Sequence, residues 1–204
     1  MAEKALIWAL EKRGLSYRRM PGEAVFYGPK IDIRMLDALG RSWQGPTVQF
    51  DFNLPPRLDI HYMNSESKEA PVVMIHRAVL GSLERFFGSL VEHYAGAFPF
   101  WLAPVQAVVL PITDRVADAA GRIRDRLRES GFRAEMDGRN EKIGAKIREA
   151  EIQKVPFMII VGDKEAAAGN VSVRVRSAGD RGTCEIDSLL SEMQELSRSR
   201  ALAP

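Results

Sequence analysis

The sequence predicts an α/β protein, α+β over the chain as a whole, built from a partial antiparallel sheet with one long helix and a mixed, mostly parallel α/β domain. Between residues 24 and 63, short runs alternate polar and apolar side chains, as half-buried antiparallel strands do. After residue 104, continuous apolar runs alternate with helical patterns, which is typical of parallel strands joined by crossover helices. An apolar, proline-containing segment separates the two patterns, so we predict domains at residues 1–100 and 101–204.

Composition narrows the class of protein without indicating a function. A chain of 204 residues is long enough for two small domains with cores of their own. The single cysteine, Cys184, excludes an internal disulfide and a cysteine-rich metal cage, which fits a reducing compartment. Because no apolar run is long enough for a membrane span, we predict a cytoplasmic protein with no membrane partner. The net charge of +2 does not by itself indicate a nucleic-acid-binding protein.

The first half should begin with a short helix that ends at Gly14, followed by four strands. The strands are predicted at residues 24–27, 30–35, 47–52 and 58–63. Alternation directs one set of apolar side chains toward the core, namely Ile31, Ile33, Val48, Phe50 and Phe52. The opposite, polar face is either an ordinary solvated surface or the floor of a pocket walled by the next helix.

That helix is predicted over residues 74–94, where apolar residues recur at steps of three and four, so one of its faces should be buried. A glycine inside a helix costs about 1 kcal/mol relative to alanine, so Gly81 indicates a closely packed neighbour. Arg85 would lie across small residues, where it could face a purine ring or a triphosphate, or simply form a salt bridge. His76 either faces the same cleft or is a half-buried structural histidine.

The second half reads as two strand–helix–strand units, a hairpin and a final helix. Strands are predicted at residues 105–110, 132–136 and 157–161, with the hairpin at 171–176 and 182–186. Thr113 or Asp114 should cap the first helix, Asn140 should cap the second, and Asp187 should start the last.

Motifs exclude several enzyme classes. The three histidines are scattered, and HExxH, paired CxxC, GxSxG, P-loop and Gly-rich dinucleotide motifs are all missing, which counts against proteases, hydrolases and common nucleotide folds. In the second half, Lys142, Lys146 and Arg148 gather positive charge near a helix N-terminus, where an anion would relieve the repulsion. This cluster is either an ordinary solvated surface or a site for a phosphate-rich partner.

Several motifs together resemble threonyl-tRNA synthetase, a class II aminoacyl-tRNA synthetase. Residues 26–31 (FYGPKI), 47–52 (TVQFDF), 74–78 (MIHRA) and 81–86 (GSLERF) resemble, in order and spacing, the end of its catalytic domain. Residues 101–104 (WLAP), 137–148 (DGRNEKIGAKIR), 155–157 (VPF) and 162–165 (GDKE) resemble its anticodon-binding domain. The resemblance implies part of a class II catalytic sheet with the third-motif helix, followed by an anticodon-binding domain.

The resemblance also implies roles for the matching positions. ATP, bound with magnesium as a substrate, would be contacted by Arg85, Gln49 and Ser82. Threonine would be contacted by Tyr27, Lys30 and Gln49. His76 would be one of three zinc ligands, the zinc gripping the amino and hydroxyl groups of threonine and so rejecting valine. The anticodon loop of threonine tRNA would be contacted by Asn140, Arg148, Glu165 and Arg174.

The chain departs from the family pattern in what precedes the matched motifs. It begins where the family's catalytic domain is more than half finished. The other two zinc ligands of the family are missing, and so are the first two class II motifs. One of those motifs includes the helix that forms the family's homodimer. No catalytic site is therefore complete. We expect a fragment, one half of a split enzyme that works with a complementary N-terminal polypeptide, or a truncated paralogue. The alternatives are a non-catalytic tRNA-binding module and a regulatory or interaction protein.

Overall fold

The computed structural model describes residues 2–176 and 178–202 and divides the chain into two compact units, residues 1–93 and 94–204. In the first unit the elements are α1 (Ala2–Lys12), β1 (Lys30–Leu36), β2 (Ser42–Asp51), α2 (Leu54–Arg57), β3 (His61–Met63), β4 (Glu69–Pro71), β5 (Met74–Ala78) and α3 (Leu83–Tyr94). Strands β1, β2 and β5 form an antiparallel sheet in that order, while β3 and β4 pair separately.

The turn between β1 and β2 is organised by the carboxylate of Asp37. It accepts the backbone N–H of Leu39 at 3.0 Å, that of Arg41 at 2.8 Å and the indole N–H of Trp43 at 2.8 Å. The Trp43 hydrogen bond, assisted by those from Arg41 and Leu39, holds the pKa of Asp37 well below its ordinary value. The turn joins β1 and β2, which correspond to the strands predicted at residues 30–35 and 47–52.

The helix predicted over residues 74–94 is wrong in its first part. Met74–Ala78 form β5, which pairs with β2, and the helix begins only at Leu83. Gly81 lies in the turn between them with a φ of +73°, which a side chain disfavours. A Cβ there would lie 2.7 Å from the carbonyl oxygen of Gly45 in β2. The closely packed neighbour inferred for Gly81 therefore exists, but Gly81 is not inside a helix.

Two of the predicted strands differ as well. The strand predicted at residues 24–27 is wrong, because residues 25–28 form a tight turn in which Gly28 N–H donates to the carbonyl of Val25 at 3.1 Å. Of residues 58–63 only the last three form a strand, because the helix α2 starts at Leu54 with Pro55 and Pro56 in its first turn.

The predicted burial of the first unit is not found: Ile31, Val48 and Phe50 are only half-buried. Ile33 is 50% exposed and Phe52 52%, whereas Thr47 and Asp51, on the polar face of the sheet, are 6% and 0% exposed. Helix α3 contains no buried residue, and its Leu83 and Phe87 are 65% and 58% exposed. None of the five apolar side chains predicted to face the core is buried, and the two buried side chains of β2 are polar.

The second unit is a five-stranded mixed sheet with helices on both faces. Its elements are β6 (Ala107–Pro111), α4 (Ala117–Glu129), β7 (Ala134–Met136), α5 (Ile143–Ile152), β8 (Phe157–Val161), α6 (Asp163–Ala168), β9 (Asn170–Val175), β10 (Gly179–Glu185) and α7 (Ile186–Ser199). The strand order is β10-β9-β8-β6-β7. Strands β7, β6 and β8 are parallel, and β9 and β10 continue the sheet antiparallel.

Apolar side chains fill both sides of this sheet. Phe100, Leu127 and Phe157 are fully buried in the cluster that α4 and α7 cover. A second cluster, with Leu110 and Met158, lies beneath α5. The predicted strands and the final helix are confirmed. Two predicted caps are not: Thr113 makes no capping hydrogen bond, and the residue preceding α5 is Lys142, so Asn140 lies outside the helix.

Candidate functional site

Three of the predicted site residues form one row across the sheet of the first unit. Lys30 in β1 pairs with Gln49 in β2, which pairs with His76 in β5. Since directly paired residues project to the same face of an antiparallel sheet, the three side chains lie side by side. Tyr27 joins them, because its hydroxyl donates to Gln49 Oε1 at 3.0 Å and its ring centroid lies 5.8 Å from that of His76.

His76 is held at one end of this row by a buried carboxylate. Its Nε2 lies 2.7 Å from Oδ2 of Asp51, a fully buried side chain that also accepts the backbone N–H groups of Asn53 and Leu54. Burial alone would raise the pKa of Asp51, but the hydrogen bonds from His76 and from the two backbone N–H groups lower it below its ordinary value. The anionic carboxylate therefore fixes the imidazole, leaving Nδ1 for another partner.

A second carboxylate, Asp32, holds the other end of the row and was not among the predicted site residues. Asp32 pairs with the ammonium of Lys30, and its Oδ1 accepts the Thr47 hydroxyl at 2.8 Å and Gln44 Nε2 at 3.0 Å. Burial tends to raise the pKa of Asp32, but the hydrogen bonds from Lys30 and Thr47 lower it. The polar alternation of the two strands contained the signal, because it placed Asp32, Thr47 and Asp51 on the face of Lys30 and Gln49.

The residues present do not make a zinc site by themselves. A carboxylate behind an imidazole is the arrangement that orients zinc-ligating histidines, so His76 suits the role of one ligand. A structural or catalytic zinc needs at least three protein ligands, and within residues 2–176 and 178–202 no three His, Cys, Asp or Glu side chains are grouped to supply them.

Arg85 and Ser82 lie at the start of α3. The Arg85 guanidinium carbon is 5.1 Å from the centroid of the Trp43 ring, and the Arg41 guanidinium carbon is 5.5 Å from the same ring. Ser82 Oγ donates to Glu84 Oε2 at 2.8 Å. Among the residues that the structure describes, no hydrogen bond joins Arg85 or Ser82 to the row of Lys30, Gln49 and His76.

In the second unit, two of the predicted anticodon contacts lie at the same edge of the sheet. Asn140 follows β7 and Glu165 follows β8, and these parallel strands end at one edge, where α/β sheets commonly bind ligands. Asn140 is exposed. Glu165 is half-buried, and one of its carboxylate oxygens accepts the backbone N–H of Gly162 at 3.1 Å, which caps α6.

The other two predicted contacts lie along α5. Arg174 of β9 pairs with Met158, which packs beneath α5, and its Nε donates to Glu151 Oε1 at 3.0 Å. Arg148 is exposed and precedes Glu151 by three residues, so the two share one helix face. Arg174 thus bonds to the face of α5 that also carries Arg148, while Asn140 and Glu165 lie at the end of the sheet.

The cationic cluster predicted from Lys142, Lys146 and Arg148 needs correction. Lys146 is only 4% exposed, and its ammonium donates to two backbone carbonyls inside the unit. Lys142 and Arg148 remain on the surface.

Family models match both units. Residues 4–94 match the class II core domain of tRNA synthetases for glycine, histidine, proline, serine and threonine, and residues 106–196 match an anticodon-binding domain. The chain is 54% identical over 201 residues to a threonine–tRNA ligase of Symbiobacterium thermophilum and 51% identical over 196 residues to that of Acidobacterium capsulatum. The chain belongs to the threonyl-tRNA synthetase family. It matches the C-terminal part of these proteins.

Two solved structures of threonyl-tRNA synthetases are also similar to this chain. The RNA-binding domain of threonyl-tRNA synthetase from Cryptosporidium parvum is 38% identical, with a TM-score of 0.88 over 95% of this chain and 49% of that one. A putative threonyl-tRNA synthetase from Aeropyrum pernix is 32% identical, with a TM-score of 0.68 over 97% of this chain and 48% of that one. The two curated relatives are matched over 98% and 96% of this chain, but over only 31% and 29% of their own length. No helix among the described residues is long and apolar enough to cross a membrane.

Proposed function

We propose that this chain supplies the C-terminal part of a threonine–tRNA ligase, which activates threonine with ATP and transfers it to threonine tRNA. The second unit would bind the anticodon loop, and the first would provide one side of the site for threonine and ATP. The observation that carries the proposal is the row of Lys30, Gln49 and His76, with Tyr27 hydrogen-bonded to Gln49. We expect it to act in the cytoplasm, where threonine tRNA is charged.

The row offers the groups that an amino acid with a hydroxyl side chain needs. The Lys30 ammonium can pair with a carboxylate, while the Tyr27 hydroxyl and the Gln49 amide can exchange hydrogen bonds with an ammonium or hydroxyl group. A site built to hydrogen-bond a hydroxyl discriminates strongly against an analogue without one, because its polar groups are then left unpaired. Zinc enters the proposal only as a metal held jointly, with His76 as one ligand and the other two from outside this chain.

ATP, with magnesium, would lie toward the start of α3. Arg85 is exposed and packed over Trp43, so its guanidinium is oriented while remaining accessible to an adenine ring or a phosphate. Gln49 would contribute from the sheet and Ser82 from the turn that Gly81 forms. These assignments come from the family pattern and are supported by the exposure of Arg85.

A complementary N-terminal polypeptide would complete the first unit. Large apolar side chains on its sheet and helix are exposed, among them Ile75 at 64%, Leu83 at 65% and Phe87 at 58%. Clustered exposed apolar residues usually mark a surface that another chain or segment covers. The chain spans about 30% of the curated relatives, so a covering segment of the same enzyme is the simplest partner.

The anticodon loop would lie on the side of α5. Asn140 and Glu165 can hydrogen-bond to base edges, and Arg148 and Arg174 can neutralise phosphates. Anticodon bases are unstacked and accessible, which is the form in which proteins commonly read RNA sequence. The match of residues 106–196 to an anticodon-binding domain supports this assignment.

Threonine-dependent ATP–pyrophosphate exchange tests the catalytic part of the proposal. The chain alone should give no exchange above background, and zinc bound after dialysis should be less than one per chain. Adding the N-terminal polypeptide of a close relative should restore exchange, and Gln49→Ala should abolish the restored activity because it removes the centre of the row. Exchange by the chain alone, or restored exchange that is insensitive to Gln49→Ala, would contradict the assignment.

The second candidate function is a tRNA-binding module without catalysis. It is favoured by the second unit, whose apolar core is closed by its own residues. Failure of every complementary polypeptide to restore exchange, together with anticodon-dependent binding of threonine tRNA, would favour this alternative.

A further inference from the structure

Lys146 is a buried lysine with a specific set of partners. It lies in α5 at 4% exposure, and its Nζ donates to the carbonyl oxygen of Pro111 at 3.0 Å and to that of Asp137 at 3.1 Å. A buried ammonium is costly unless its hydrogen bonds are made, so both carbonyls are required partners and not incidental contacts. Lys142, four residues earlier, is exposed by contrast.

The two carbonyls belong to the ends of neighbouring strands. Pro111 is the last residue of β6, and Asp137 is the first residue after β7. The backbone N–H of Asp137 donates to Val109 of β6 at 3.0 Å, so Asp137 is held from both its N–H and its carbonyl. Lys146 thereby ties α5 to the point where the chain leaves the sheet.

That point begins the loop at residues 137–142, which carries Asn140. The loop has an outer brace as well: Arg139 pairs with the Asp137 carboxylate at 2.6 Å and with Glu149 of α5 at 2.7 Å. On one side the loop borders a groove of about 380 Å³, lined by Met136, Gly138 and Lys146 among others, so apolar packing does not hold it there. Its position therefore depends on polar contacts, of which those of Lys146 are the most buried.

We propose that Lys146 is a positioning residue for anticodon recognition, which fixes the 137–142 loop so that Asn140 meets a base edge at a set distance from α5. The inference rests on the proposed tRNA-binding function. Lys146 touches no RNA in this account. It determines which anticodon is preferred, whereas exposed Lys142 adds only attraction to phosphates.

The test compares Lys146→Met with Lys142→Met in the full chain. Methionine keeps the apolar stem of Lys146 but cannot donate to either carbonyl. Affinity is measured for threonine tRNA and for the same tRNA with a swapped anticodon, each at several salt concentrations. We expect Lys146→Met to reduce the preference for the threonine anticodon about 10-fold, as loss of a well-placed base contact does, with no change in the salt slope. Lys142→Met should keep the preference and reduce the slope by up to about 0.7.

The controls separate the possible failures. If the unmutated chain does not prefer the threonine anticodon, the base-reading part of the proposed function is wrong. If it does and Lys146→Met keeps that preference, the positioning role is wrong. Amide hydrogen exchange of the variant should accelerate at residues 137–142 while β6 and β8 stay protected, which shows that the fold is retained.

Amine labelling of the unmutated chain gives a test that does not depend on a variant that folds. Lys146 should react slowly with a lysine-specific reagent, with or without bound tRNA, whereas Lys142 should react quickly and be protected by tRNA. Fast labelling of Lys146 that tRNA suppresses would mean that it contacts RNA directly, and would overturn the proposal.

Discussion

The two units of this chain bury opposite kinds of side chain. In the second unit Phe100, Leu127 and Phe157 are fully buried. Among the described residues of the first unit, no large apolar side chain is buried, whereas the polar residues Thr47 and Asp51 are, at 6% and 0% exposure. Hydrophobic burial is the main driving force of folding, so the second unit has the core of an independent domain. The first unit depends on strand pairing and on the hydrogen bonds of its carboxylates.

The difference bears on the proposed function. In the first unit Asp51 is buried and Asp32 half-buried beside the row of Lys30, Gln49 and His76, so its covered polar side chains lie at the candidate site. Its apolar residues are left on the outside, where a complementary polypeptide could bury them. The second unit instead keeps its apolar residues inside and presents Asn140 and Arg148 on its surface.

The largest expected effect is on stability, and it is measured by changing one phenylalanine to alanine in each unit. Phe157→Ala should destabilise the second unit by about 3–5 kcal/mol, because it removes a fully buried ring. Phe87→Ala in the first unit should change stability by no more than about 0.5 kcal/mol, because the ring is 58% exposed. Urea denaturation followed by signals from each unit measures both. Similar losses for the two variants would contradict the difference in burial.

Lowering the pH should destabilise the turn of the first unit that the Asp37 carboxylate organises. Because the folded-state pKa of Asp37 lies below its ordinary value of 3.8, its stabilisation is complete above that pH and is lost progressively as the pH falls below it. The Trp43 indole N–H signal in NMR reports the hydrogen bond directly. Asp37→Asn should remove this acid dependence, while Asp59→Asn, whose side chain is 92% exposed, should leave it unchanged. An indole signal with the same pH profile in Asp37→Asn would refute the assignment.

A smaller effect is expected on RNA binding by the second unit. Asn140→Ala should lower the preference for the threonine anticodon by about 1–3 kcal/mol, the usual value of a specific base contact. Arg148→Ala should instead weaken binding to every tRNA tested and reduce the salt slope by about 0.7, since it would remove one of the proposed phosphate contacts. Equal binding of threonine tRNA and an anticodon-swapped tRNA by the unmutated chain would leave only a nonspecific basic surface.

The second unit could be predicted from sequence because its signals are local. Residues 157–161 form a continuous apolar run, which predicts a buried strand whatever its partners are, and the structure has β8 at those residues. Helical periodicity could likewise have located Lys146. Ile143, Lys146, Ile147 and Ala150 follow helical spacing, which places the lysine on the buried face of α5.

The first unit was harder to predict because long-range pairing determines it. Residues 74–78 carry apolar residues that also fit a helix, and only their pairing with β2 makes them a strand. That pairing places His76 beside Gln49 and brings Asp51 to its imidazole. The pattern of β1 and β2 therefore indicated part of the site, while the position of His76 could not be obtained from its own neighbours in sequence.

Amide hydrogen exchange along the full chain most directly tests whether the two units differ as described. Amides in β6 and β8 should exchange only when the second unit unfolds, with protection of about 5–15 kcal/mol. Amides in β1, β2 and β5 should exchange faster, and adding a complementary N-terminal polypeptide should slow them without changing β6 or β8. Equal protection of both sheets in the chain alone would contradict the account, because it would mean that the first unit is stable without burying its apolar residues.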